Sequence, residues 1–147
     1  MKRIIIIQAR MTSTRLPGKV LMDLAGRPML AQQLRRLKKC HSVDEISVAT
    51  STNTTDDPVV ALAGREGVRW FRGSEHDVLS RYLGAARESQ ADIVVRITAD
   101  CPLIDPEQTD RVIYELESHA AELTMQLTIS IELSHVGWKQ KLCLATL

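Results

Sequence analysis

Hydrophobic residues first appear as an unbroken run, Ile4 to Ile7, with no polar alternation inside it. Such a run suits a strand buried on both faces. From Gln8 the pattern collapses: Ala9 to Lys19 has no apolar period but carries two arginines, three hydroxyl side chains, a Pro-Gly pair and a lysine. A helix is expected from Pro28, a residue that fits the first helical position, with Leu30, Leu34 and Leu37 at helical spacing. Arg35, Arg36, Lys38 and Lys39 fall on its other face and near its end, and read as a solvated face rather than a nucleic-acid patch.

The same alternation then repeats. Ile46–Thr50 is a short strand, followed by a polar loop and a helix capped by Asp56 or Asp57, with Pro58 in its first turn and Val59, Val60, Leu62 and Ala63 on its apolar side. Gly67 ends that helix, and Val68–Arg72 is a third strand. A second amphipathic helix runs from about Asp77 to Gln90, with Val78, Leu79, Tyr82, Leu83 and Ala86 on one face. Asp92–Thr98 is a fourth strand, and Asp105-Pro106-Glu107-Gln108 caps the next helix. Repeated strand–helix units with short connections imply an α/β fold: a Rossmann-like, mainly parallel sheet flanked by helices. From Leu123 to Ser134 the pattern changes to strict alternation, which predicts a long half-buried strand, followed by a loose end.

Composition narrows the function classes. The 147 residues suffice for one domain, and 44% hydrophobic with 25% charged is ordinary for a globular chain. A net charge of +1 and 3% aromatics argue against nucleic acid as a partner. Cys40, Cys101 and Cys143 form no C-x-x-C pair, so neither a disulfide framework nor a zinc site is indicated. The opening apolar run is too short for a signal peptide and no later stretch approaches membrane-spanning length, so no membrane role and a cytoplasmic location are expected.

The candidate chemistry lies after the strands, where open α/β sheets bind ligands. The loop after the first strand offers N–H groups, hydroxyls and the charges of Arg10, Arg15 and Lys19, a set suited to a polyphosphate. It departs from G-x-x-x-x-G-K-[ST], because Ser13 stands where the first glycine belongs and Val20 where the last hydroxyl belongs. G-x-G-x-x-G is absent as well. Asp100 follows the fourth strand before any helix begins, which sets it apart from Asp105, a cap. Arg96, inside a strand, reads as a structural ion-pair partner, the four histidines as surface residues and Cys101 as a small packed thiol.

Gln8-Ala9-Arg10, Ser13-x-Arg15-Leu16-Pro17-Gly18-Lys19 and Leu24-Ala25-Gly26-Arg27-Pro28-Met29 resemble the start of the sugar-activating cytidylyltransferases, the CMP-KDO and acylneuraminate group. Ala49-Thr50-Ser51, Asp77-Val78-Leu79-x-Arg81-Tyr82 and Arg96-Ile97-Thr98-x-Asp100-Cys101-Pro102-Leu103-Ile104-Asp105 extend the likeness, most of all to the spore coat polysaccharide biosynthesis branch. The resemblance covers about residues 2–117, leaving 1–117 as a nucleotidyltransferase domain and 118–147 as a divergent tail.

The resemblance implies a nucleotide-diphospho-sugar transferase fold of glycosyltransferase-A type, in truncated form. It also implies magnesium, and transfer of CMP from CTP to a sugar or sugar acid with release of pyrophosphate. The alternative is a catalytically incomplete nucleotide-binding domain of the same family. By resemblance Ala9 approaches the base through its backbone, Arg10 and Lys19 contact the triphosphate, and Ser13 and Arg15 complete the loop. Ser74, Asp77 and Arg81 form a second nucleotide-facing segment, and Asp100 holds the metal; Arg10, Lys19 and Asp100 are thus the expected catalytic set. An exposed alternating strand near the C-terminus would favour sheet-edge pairing into a homodimer.

Overall fold

The isoleucine run forms the middle of the sheet. In the computed structural model, which describes residues 1–118 and 143–146, β1 (Arg3–Gln8) lies between β4 (Glu45–Ser51) and β6 (Ile93–Thr98). β5 (Arg69–Gly73) flanks β4, and β7 (Cys143–Thr146) flanks β6, in the order β5-β4-β1-β6-β7 with every pair parallel. β2 (Asp23–Leu24) and β3 (Arg27–Pro28) make a separate antiparallel hairpin. The helices are α1 (Met29–Leu37), α2 (Asp57–Arg65), α3 (Val78–Glu88) and α4 (Pro106–Ser118).

Successive strand side chains point to opposite faces, so the four isoleucines, all fully buried, divide between two cores. Ile5 and Ile7 pack with Leu30, Leu34 and Leu37 of α1, Val59 and Leu62 of α2, and Ile113 of α4. Ile4 and Ile6 meet Tyr82, Ala85 and Ala86 of α3. Burying each such side chain contributes about 1.5–3 kcal/mol, which is why an uninterrupted apolar run marks the central strand. The connections through α1 and α2 step outward from β1 on one face. The connection through α3 returns across the sheet on the other face, so direction and face reverse together and the crossover hand is kept. The order reverses at β1, and the loops leaving β1 and β6 therefore diverge at their carboxyl ends.

Several local expectations change. Pro28 ends the hairpin and occupies the N-cap of α1 in an extended conformation, rather than the first helical turn. Leu79 is half exposed, because the face of α3 that meets the sheet is set by Arg81, Tyr82, Ala85 and Ala86. Gly84 lets the Phe71 ring lie against α3: a Cβ there would sit 2.2 Å from the ring. The alternating stretch 123–134 lies outside the described residues. Cys143–Thr146, expected as a loose end, extends the sheet beside β6. Arg36 is more than a solvated cation, since its Nε donates to the Ile104 carbonyl at 2.6 Å and ties α1 to the loop after β6.

Candidate functional site

The loop after β1 is folded by its own backbone. The Met11 carbonyl accepts from the N–H groups of Ser13 (3.0 Å) and Gly18 (2.8 Å), closing a tight loop that brings Lys19 back to the strand end. Gly18 has φ of 71°, a left-handed conformation that any side chain would strain. A short 3-10 turn, Lys19–Leu21, follows, and its buried Val20 fixes the loop to the core under α1. Ser13 spends its hydroxyl on the Leu16 N–H, while Arg15 is exposed at the loop tip. Ala9 is buried and its N–H already donates to the Ala49 carbonyl at 3.1 Å, leaving its carbonyl as the group for a ligand.

On the other side of the switch point, Asp100 is 53% exposed, and its Oδ2 lies 3.7 Å from the Lys19 Nζ. The loops after β1 and β6 thus bring the two residues together beyond the carboxyl ends of their strands. The Thr98 hydroxyl donates to Asp100 Oδ1 and fixes that carboxylate's orientation. This bond, together with the Lys19 charge, outweighs partial burial and holds the Asp100 pKa below the usual carboxylate range. Cys101, expected to be packed, is an exposed thiol in the loop that follows β6.

The loop after β5 forms the third wall. Ser74 and Asp77 cap α3 in turn: the Ser74 Oγ accepts from the Asp77 N–H, and the Asp77 carboxylate from the Ser80 N–H. Arg81, fully buried, donates to the carbonyls of Ser74 and Glu75. Arg10 reaches across from the first loop and donates to the same Glu75 carbonyl at 3.0 Å. Neither guanidinium has a carboxylate in ion-pair contact among the described residues, and Nε and Nη2 of Arg81 are buried without a partner. Burial and the facing Arg10 both lower the Arg81 pKa. Two cations gathered on one carbonyl attract an anion.

Three residues contribute to this architecture through contacts that the sequence pattern does not show. Glu75 joins the walls with its carboxylate, accepting from the Thr12 hydroxyl and the Asn53 amide, both at 3.1 Å; those bonds hold its pKa low. Thr98 orients Asp100. Asp56, expected only as a helix cap, is fully buried and bonds the Met11 N–H, 45 residues away, at 2.7 Å. Arg96, expected in an ion pair, makes none among the described residues and lies over the Tyr82 ring, 5.5 Å from its centre.

The donor set suits a magnesium nucleotide. One exposed carboxylate beside a lysine fits an ion that takes most of its ligands from phosphate and water. No helix among the described residues is long and apolar enough to cross a membrane.

Comparison with known proteins agrees with this geometry. The family model described as Cytidylyltransferase matches residues 4–139, running past the last recognisable motif. The spore coat polysaccharide biosynthesis protein SpsF of Bacillus subtilis is 40% identical over 112 residues, covering 74% of this chain and 47% of that protein. A solved cytidylyltransferase from Leptospira borgpetersenii superposes with a TM-score of 0.78 at 41% identity, over 81% of this chain and 50% of that one. CMP:2-keto-3-deoxy-manno-octonic acid synthetase, solved in complex with CTP, gives 0.72 at 26% identity, over 82% and 49%. The chain spans about half the length of the curated relatives it matches.

Proposed function

The chain belongs to the cytidylyltransferase family, and from that premise we propose that it binds CTP with magnesium and transfers CMP to a sugar or sugar acid. The observation that carries this reading is the meeting of Lys19 and Asp100, 3.7 Å apart across the switch point of the sheet. A cation for the triphosphate and a carboxylate for its metal are what phosphoryl chemistry asks of a protein, which mostly positions groups and neutralises charge. A relative solved with CTP supports the choice of base, and the chemistry in that relative's name supports a sugar-acid acceptor.

In this reading the acceptor oxygen attacks the α-phosphorus of CTP. The bond from that phosphorus to the bridging oxygen breaks, and pyrophosphate leaves with the electron pair. Lys19 and Arg10 hold the charge that accumulates on the leaving pyrophosphate. The loop from Ser13 to Gly18, with Arg15 at its tip, wraps the phosphates, and the Ala9 carbonyl faces the base. Arg81, set by the Ser74–Asp77 turn, keeps the third wall positive. Asp100 would hold magnesium, whose charge would offset that of the triphosphate. The family match through residue 139 favours this enzyme reading over that of a catalytically incomplete domain.

The test has two steps. A thermal-shift panel of the four nucleoside triphosphates with magnesium should show the largest stabilisation with CTP. Pyrophosphate release should then follow when CTP, magnesium and a sugar acid are combined. Equal shifts with all four nucleotides would overturn the base assignment, and an absence of any shift would overturn the site.

A further inference from the structure

An aspartate at a helix N-cap ordinarily accepts from the first N–H groups of its own helix. Asp56 occupies that position before α2 and makes no such bond. Its carboxylate turns the other way. Oδ1 accepts from the Met11 N–H at 2.7 Å, while Oδ2 accepts from the Ser51 N–H at 3.1 Å and from the Ser51 hydroxyl. The side chain is fully buried and in no ion-pair contact among the described residues. A buried carboxylate is retained only where donors meet it, and here three donors from two different strand ends do so. Its charge also helps to offset the burial of Arg81.

The bonded atoms say what this does. Met11 is the residue whose carbonyl closes the loop on Ser13 and Gly18, and it directly follows Arg10. Ser51 is the last residue of β4, and Arg72 of β5 donates to its carbonyl at 2.9 Å. Asp56 therefore holds the first turn of the loop after β1 at a fixed distance from the β4 and β5 strand ends. We infer that Asp56 is a positioning residue for nucleotide binding: through the Met11 N–H it sets where Arg10 and the loop ending at Lys19 stand, without touching the nucleotide. This rests on the nucleotide-site reading above.

The experiment compares Asp56→Asn with Ser51→Ala in the full chain. The asparagine must turn its NH2 group toward one of the two backbone donors, Met11 or Ser51, so the bridge between the loop and the end of β4 fails whichever way the amide lies. The alanine removes only the Ser51 hydroxyl and leaves Met11 bonded to Asp56. Titration calorimetry with CTP and magnesium should show a loss of about tenfold or more for Asp56→Asn and less than about twofold for Ser51→Ala. Equal losses in the two variants, or none in Asp56→Asn, would overturn the inference. Amide exchange in the unsubstituted protein keeps the proposal testable even if Asp56→Asn fails to fold. The Met11 N–H should be protected without ligand, and further protected by CTP with magnesium; an unprotected amide would overturn it. If the unsubstituted protein binds no CTP at all, it is the functional reading that fails, while the Met11 protection still reports on the Asp56 bond.

Discussion

The two edges of the sheet treat charge in opposite ways. Where strands β1, β4 and β5 begin, cations are matched with carboxylates: Lys2 meets Glu45 at 2.7 Å, Arg3 meets Glu117 at 2.6 Å, and Arg69 lies 3.6 Å from Glu45 and 3.2 Å from Glu88. At their carboxyl ends Arg72 meets Asp57 at 2.7 Å, but Arg10 and Arg81 rest on one carbonyl, and Lys19 touches Asp100 only at 3.7 Å. The first edge closes the fold with compensated pairs. The second keeps positive charge without full compensation, an arrangement that weakens the free protein and would favour an anion. Substitutions at the two edges should therefore separate stability from binding.

The largest effect is expected from Arg10→Ala and Lys19→Ala. In the proposed site each removes a charged donor to phosphate, worth about 1.5–3 kcal/mol, so CTP affinity measured by calorimetry with magnesium should fall roughly 10- to 150-fold. The melting temperature should hardly move, because neither side chain closes an ion pair that the fold depends on. Lys2→Ala should leave affinity unchanged.

Next comes Gly18→Ala. A residue forced to φ of 71° costs about 1–2 kcal/mol, and the new Cβ would stand 3.4 Å from the Met11 Cε. The cost should appear in urea denaturation and again as weaker CTP binding, because the strain lies in the loop that presents Lys19. A variant that loses stability alone would show that the loop's shape matters to the fold rather than to the site.

The sequence made the architecture legible where physics is periodic. Four isoleucines in succession mark a strand with two buried faces, and leucines three and four apart mark α1. The loop at Gly18 and the isolated Asp100 were legible because they break that periodicity. Asp56 and Glu75 were not, since their partners lie 45 and 63 residues away and a bond across loops leaves no local pattern. Cys101 departs from its expected packing for a related reason. Its exposure depends on the direction in which the chain leaves β6, which side-chain type does not encode.

At the opposite edge, Glu45 should shape the response to acid. Burial alone would raise its pKa, but bonds from Lys2 and Ser89 and the nearby charge of Arg69 hold it below the ordinary value of 4.5. A carboxyl depressed on folding contributes stability that is complete above its unfolded pKa and is lost as pH falls through the folded one. Chemical denaturation should show stability declining below about pH 4.5, and Glu45→Gln should flatten that decline and lower stability near neutrality by about 1 kcal/mol. An unchanged acid limb would mean that the compensated edge is not what holds the strands together at low pH.

Asp100 offers the sharpest contrast with Glu45, because its pKa is depressed in the same direction while its effect on stability should be the smallest. Its carboxylate is 53% exposed and its lysine partner sits at 3.7 Å, so solvent screens most of the attraction and the pair is worth no more than about 0.5 kcal/mol. Asp100→Asn keeps the Thr98 hydroxyl bond and the side chain's shape but removes the charge. Urea midpoints for the two proteins should therefore coincide. CTP titrated in the presence and absence of magnesium should separate them: the unsubstituted protein should bind more tightly with the metal, and Asp100→Asn should bind alike in both conditions. A large loss of stability would move Asp100 to the compensated edge in kind, and a retained magnesium effect would remove it from the site.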